Sequence, residues 1–206
     1  MTLYRLGIFL VRIWLILGGC RIIGKENIPG AGSMLVIANH TSFGDPVLLA
    51  AAFPQHITFI AKEAFYRSPF TKWLFGLLGA VFLNKEESDL SALRSSMKLL
   101  KEGRVVAIFP EGRRNRDQVI SEFMPGAGYI AMKAGVPVLP VAISNSKDIW
   151  RFWRRNIIVN IGAPQSPQPC GKIDQQQLSA LTMEFQKKVT ELYAINMVLL
   201  KKKHNL

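Results

Sequence analysis

Short apolar runs recur along the chain, each bounded by turn-forming residues: 34–38, 57–61, 80–83, 105–109, 138–143 and 157–161. Runs of this length with no polar alternation predict strands covered on both faces. Between them the apolar spacing becomes helical. Asp45-Pro46 reads as an N-cap followed by proline at the first helical position, opening a helix over 47–53. Ser68-Pro69 repeats that signature ahead of a helix over 70–78, which carries Trp73, Leu74, Leu77 and Leu78 and stops at Gly79. Leu90, Leu93, Met97 and Leu100 place a helix over 88–101, ended by Gly103. A further helix covers 126–134 and stops at Gly135. The last begins near Asp174 with Leu178, Leu181, Phe185, Val189 and Leu192 on one face, and Lys201, Lys202 and Lys203 lie at the negative end of its dipole. Strands alternating with helices predict an α/β fold: a mostly parallel central sheet with helices on both faces.

The N-terminal segment breaks this pattern. Residues 3–20 are mostly apolar but interrupted by Arg5 and Arg12, whereas a spanning helix needs about 20 apolar residues. Seven positions apart, the arginines share one helical face, opposite Ile8, Phe9, Ile13, Trp14 and Ile16. That arrangement predicts a helix lying in a membrane interface with its arginines reaching headgroups. A cleaved signal peptide, with Leu17-Gly18-Gly19-Cys20 as a lipoprotein-like box, and an ordinary core helix are the rival readings. The turn cluster 27–32 follows. The expected division is therefore a membrane-associated helix at 1–24 and an α/β domain at 25–206.

Charge and composition narrow the partners. Lys and Arg number 26 against 14 acidic residues, a net charge of +12, which calls for a polyanion. With 49% of residues hydrophobic and a positive mean hydropathy, an anionic phospholipid surface fits better than nucleic acid. Trp150-Arg151-Phe152-Trp153-Arg154-Arg155 suits the headgroup layer in the same way, although such interleaving can also stack on single strands. The two cysteines, Cys20 and Cys170, form neither a metal-ligand spacing nor a disulfide framework, which fits a reducing cytosol. The expected location is the cytoplasmic face of the cell membrane, held peripherally or monotopically.

Candidate chemistry lies in two loops that leave predicted strands, where α/β folds place ligands. In Asn39-His40-Thr41-Ser42-Phe43-Gly44-Asp45, a chain turning through Ser42-Phe43-Gly44 can return the Asp45 carboxylate to the His40 imidazole. The carboxylate would hold one ring nitrogen and leave the other as a base. Asp45 as a mere helix cap is the plainer alternative. No G-x-S-x-G elbow makes Ser42 a nucleophile. The second loop, Phe109-Pro110-Glu111-Gly112-Arg113-Arg114-Asn115-Arg116, gathers arginines suited to bidentate phosphate contacts.

Together the His40-x4-Asp45 and Phe109-Pro110-Glu111-Gly112-x-Arg114 segments resemble the glycerolipid acyltransferases, and most closely the 1-acylglycerol-3-phosphate acyltransferases. Ala61-Lys62-Glu63-Ala64-Phe65 with Ser68-Pro69-Phe70 is similar to the family's second block, and Val136-Pro137-Val138-Leu139-Pro140 to its last. The resemblance implies His40 and Asp45 as catalytic residues, and Lys62, Glu111, Gly112 and Arg114 as the site of the substrate phosphate. It implies acyl transfer from acyl-CoA or acyl-carrier protein to the sn-2 hydroxyl of lysophosphatidic acid, with no metal and no cofactor beyond the donor as co-substrate. Two departures, Arg113 where threonine is common and Asn84-Lys85 where arginine is frequent, bear on the acceptor headgroup. Transfer to another lysolipid, or a basic membrane- or nucleic-acid-binding module without catalysis, are the alternatives.

Overall fold

The computed structural model describes residues 2–62, 76, 80–83, 89–115, 117, 119–151, 156–168 and 173–204. Its strands are β1 (Arg21–Ile23), β2 (Met34–Ala38), β3 (Ile57–Lys62), β4 (Val81–Leu83), β5 (Val105–Ile108), β6 (Val138–Ser144) and β7 (Ile158–Ile161). Its helices are α1 (Thr2–Leu17), α2 (Asp45–Ala52), α3 (Asp89–Lys101), α4 (Gly126–Ala134) and α5 (Gln175–His204). The helix expected over 70–78, apart from residue 76, and the aromatic-basic stretch 152–155 lie outside the described residues, as do Glu63, Asn84, Lys85 and Arg116.

The strands form one sheet in the order β1-β7-β6-β2-β5-β3-β4. Every neighbouring pair is parallel except β6–β7. Strand β2 is central and all five of its residues are buried. Its side chains alternate between two cores. Met34, Val36 and Ala38 pack with Leu48 and Leu49 of α2 and with Ile8 and Leu15 of α1. Leu35 and Ile37 pack with Leu99 and Leu100 of α3, Ile130 of α4 and Phe185 of α5. Burial on both sides is why the run carries no polar alternation. At α5 the cap is Asp174, whose Oδ2 accepts the N–H groups of Gln176 and Gln177 at 3.1 and 3.2 Å.

Two features depart from the sequence reading. Strand β1 was not anticipated. It pairs with β7 through Arg21, Ile22 and Ile23, so the chain ahead of residue 25 contributes a strand to the sheet. On α1 the expected faces hold only in part: Phe9, Ile13 and Ile16 point outward and Arg5 is exposed, but Ile8 is buried in the core with Trp14 packed against it. Arg12 points inward: its Nε–H donates to Ala51 O at 2.8 Å, and a second guanidinium N–H donates to Phe53 O. These carbonyls close α2 at the negative end of its dipole, which a cation satisfies. The opposite face, Leu6, Phe9, Leu10, Ile13, Ile16 and Leu17, is apolar and exposed. Among the described residues no helix is long and apolar enough to cross a membrane.

Arg12 therefore docks α1 onto α2. A hydrogen bond from a charged donor contributes about 1.5–3 kcal/mol net. Arg12→Ala should lower the unfolding free energy by about that much, and Arg12→Lys by less. Urea titration at fixed detergent checks this; an unchanged midpoint would show that the contact contributes nothing.

Candidate active site

Three adjacent strands, β6, β2 and β5, end at the same edge of the sheet. The chain leaves β2 into α2, which packs in one core, and leaves β5 for α4, which packs in the other. Where consecutive connections part to opposite faces, a crevice opens at the strand ends. His40 lies in the loop after β2 and Glu111 in the loop after β5.

The loop after β2 closes on one oxygen. Asp45 Oδ2 accepts the N–H groups of Thr41 at 2.7 Å and Ser42 at 2.8 Å, and it stands 2.8 Å from His40 Nδ1. Asp45 is fully buried. Because that oxygen accepts every other bond made to it, the hydrogen to His40 must come from the imidazole. The proton is therefore on Nδ1 and the lone pair on Nε2. Asp45 is the first residue of α2, with Gly44 as the N-cap and Pro46 following. The expected cap is thus one residue earlier, and the carboxylate serves the loop ahead of its helix. Gly44 is required by space: a Cβ there would lie 2.9 Å from Ile149 Cγ2.

Other contacts fix the backbone around the base. Asn39 is fully buried. Its side chain donates to Ile143 O at 2.9 Å and accepts from Ile143 N at 2.8 Å, extending the β2–β6 pairing beyond the last strand bond. Thr41 Oγ1 and Ser146 Oγ are 2.8 Å apart, joining the loops after β2 and β6. The His40 ring stacks on Phe109, with centroids 4.1 Å apart. His40 N–H donates to Glu111 Oε1 at 2.7 Å, and His40 O accepts from Asn115 N at 2.8 Å.

The residues expected at a phosphate are distributed as follows. The guanidinium carbon of Arg114 lies 3.5 Å from the centroid of the Phe43 ring, which brings the basic loop across to the His40 loop. Gly112 is exposed and adopts φ 66°, the left-handed conformation that lets the chain turn toward Arg113 and Arg114. Lys62 ends β3 on the same sheet edge; its side chain lies outside the described residues. Glu111 is buried, and its two oxygens accept the N–H groups of His40 and Ser121, the latter at 2.9 Å. A carboxylate so occupied has no donor to offer a phosphate. Asn39, Phe43, Phe109, Asn115 and Ser121 received no role from the sequence. Asn39 and Phe109 flank the two loops, but nothing in their spacing identifies their partners.

Comparison with known proteins agrees with this geometry. The Acyltransferase family matches residues 19–144. The chain is 34% identical over 156 residues to the 1-acyl-sn-glycerol-3-phosphate acyltransferase of Borreliella burgdorferi, covering 74% of this chain and 61% of that protein. It is 27% identical over 183 residues to the enzyme of that name from Bacillus subtilis, covering 85% of this chain and 88% of the relative. The crystal structure of the Thermotoga maritima 1-acyl-sn-glycerophosphate acyltransferase superposes with a TM-score of 0.66 at 31% identity, over 90% of this chain and 80% of that one. The chain thus spans less than two thirds of the Borreliella relative, and 37% of the Brassica napus chloroplast relative. The matched span takes in His40, Asp45, Glu111, Asn115 and Ser121, and the chain belongs to the Acyltransferase family.

Proposed function

We propose that the protein transfers a fatty acyl group from an acyl thioester to the sn-2 hydroxyl of lysophosphatidic acid, giving phosphatidic acid. The observation that carries this reading is the buried Asp45 carboxylate on His40 Nδ1, which leaves Nε2 as a base. The relatives bearing the 1-acyl-sn-glycerol-3-phosphate acyltransferase name support the acceptor. Either acyl-CoA or acyl-carrier protein fits as donor.

In this mechanism Nε2 takes the acceptor's hydroxyl proton as its oxygen attacks the thioester carbonyl. Asp45 stabilises the imidazolium and preserves the tautomer. The tetrahedral intermediate collapses, the C–S bond breaks, and the thiolate leaves with the proton from Nε2. The oxyanion needs donors. The N–H groups of His40, Thr41 and Ser42 are already committed to Glu111 and Asp45, so those donors come from elsewhere at the mouth. Arg114 supplies a planar cation for the acceptor's phosphate, with Lys62 as its partner in that role.

Helix α1 supports a membrane location. Its exposed stripe Leu6, Phe9, Leu10, Ile13, Ile16 and Leu17 is continuous and apolar, as in a helix lying in the headgroup–acyl boundary. A cytoplasmic anionic leaflet suits both the net charge of +12 and the phospholipid acceptor.

Acceptor-dependent thiol release from acyl-CoA tests the reaction, and release without lysophosphatidic acid would make the protein a thioesterase instead. His40→Ala should lower kcat by about 10²–10⁴-fold in a folded protein. Asp45→Asn should lower kcat as well, because the amide oxygen that accepts from Thr41 and Ser42 no longer carries the charge that stabilises the imidazolium. Near-normal turnover in either variant would end the mechanism. Arg114→Ala should raise the KM for lysophosphatidic acid by roughly 10–150-fold and leave the thioester KM nearly unchanged; the reverse pattern would assign Arg114 to the donor. For the membrane, burying one large apolar side chain contributes about 1.5–3 kcal/mol. The double change Phe9→Asp, Ile13→Asp should therefore weaken partitioning to anionic vesicles by at least roughly 100-fold. Flotation indistinguishable from the parent would remove α1 from the membrane contact.

A further inference from the structure

We infer that Glu111 is a positioning residue that holds His40 in line for proton transfer, and not a ligand of the substrate phosphate. The inference rests on the acyltransferase reading for its kinetic consequences only. The hydrogen bonds around Glu111 form a closed circuit. His40 N–H donates to Glu111 Oε1 at 2.7 Å, and Ser121 N–H donates to Oε2 at 2.9 Å. Asn115 Nδ2 donates to Ser121 Oγ at 3.0 Å, and Asn115 N–H returns to His40 O at 2.8 Å. Both backbone groups of His40 therefore end on the loop after β5.

The sheet explains why Glu111 stands there. Strands β2 and β5 pair with Ile37 opposite Ile108, an offset of 71 residues (108 − 37). His40 and Glu111 have the same separation, 71. Glu111 thus occupies the position opposite His40 had the ladder continued, and its carboxylate replaces the backbone carbonyl that the ladder no longer supplies. Unlike a carbonyl it is a carboxylate, and it is buried against the backbone of the residue whose ring becomes cationic during the reaction. Both properties act on the transition state. Arg114, by contrast, reaches Phe43 on a long flexible arm, and Asn115 still ties its loop to His40 O when Glu111 is changed. Misplacement of a catalytic group by about 1 Å costs about 100-fold in rate, whereas a guanidinium on a flexible stem absorbs a shift of that size.

The test compares Glu111→Gln with Glu111→Ala. Glutamine keeps one acceptor but offers an N–H to the other backbone donor, and it serves if the alanine variant does not fold. We expect kcat to fall by about 10–100-fold in the glutamine variant, with the KM for lysophosphatidic acid and for the thioester each moving less than about 3-fold. A second readout needs no substrate: the low-field proton resonance of His40 Nδ1–H bound to Asp45, assigned by its absence in His40→Ala. In Glu111→Gln it should broaden or vanish through faster exchange, while Arg114→Ala keeps it. A variant that retains the resonance and kcat overturns the inference, whether its acceptor KM rises or stays put. If the parent protein shows no acceptor-dependent transfer, the acyltransferase reading fails, and the resonance alone still decides whether Glu111 holds His40.

Discussion

A fully buried carboxylate carries a large desolvation cost unless donors surround it. At Asp45 the loop from Thr41 to Gly44 is folded to supply them. Two backbone N–H groups and one imidazole N–H converge on Oδ2, and the residue opens α2, where the helix dipole favours negative charge. Since the imidazole is one of those donors, the interaction that makes the loop affordable also sets the tautomer of its histidine. The local fold and the base are one interaction.

Around that point the protein is arranged in pairs of constraints. Helix α2 carries Asp45 at its positive end and receives Arg12 at its negative end, so charge follows the dipole at both termini. Through Arg12 the exposed apolar helix α1 is fastened to the element that begins with Asp45. Across the sheet, Asn39 continues the β2–β6 pairing with its side chain, and Glu111 does the same for β2–β5. The chain from β2 to His40 is therefore clamped from both neighbours just past the end of the strand at Ala38.

The legible part of the fold was whatever burial writes into composition. Strand β2 is apolar at every position because two cores cover it, and the sequence could be read accordingly. The five-residue step from His40 to Asp45 allowed a dyad but equally a plain helix cap, and only its resemblance to a family block, together with Glu111-Gly112-x-Arg114, singled out the chemistry. Strand β1 was not legible: three residues, with Arg21 exposed, leave no periodic signal. Periodicity on α1 put Arg5 with Arg12, and Ile8 and Trp14 with Phe9, Ile13 and Ile16, and the structure divides both groups. Both faces are rich in aliphatic residues, and the decision is made by Ala51 and Phe53 carbonyls that lie 39 and 41 positions away. Glu111 was placed with its neighbours Gly112 and Arg114, although its side chain turns the other way. That direction depends on the register of β2 with β5, which spacing along one segment does not contain.

On the proposed reading, the same contacts let His40 act as a base without a serine of its own. Among the described residues no hydroxyl pairs with the His40 ring. Ser42 Oγ accepts Gly44 N–H at 3.1 Å within its own turn. Ser146 is fully buried against Thr41. Each hydroxyl near the dyad thus supports a loop, and the imidazole faces the crevice with half of a triad built and the nucleophile left out. A hydroxyl brought by an acceptor completes it, and direct transfer then needs no acyl-enzyme. On the proposed reading the acceptor positions the nucleophile as well as providing it, so binding of its phosphate by the loop after β5 and activation of its hydroxyl by the loop after β2 have to agree in distance. The circuit from His40 through Glu111, Ser121 and Asn115 is the physical link between the two loops.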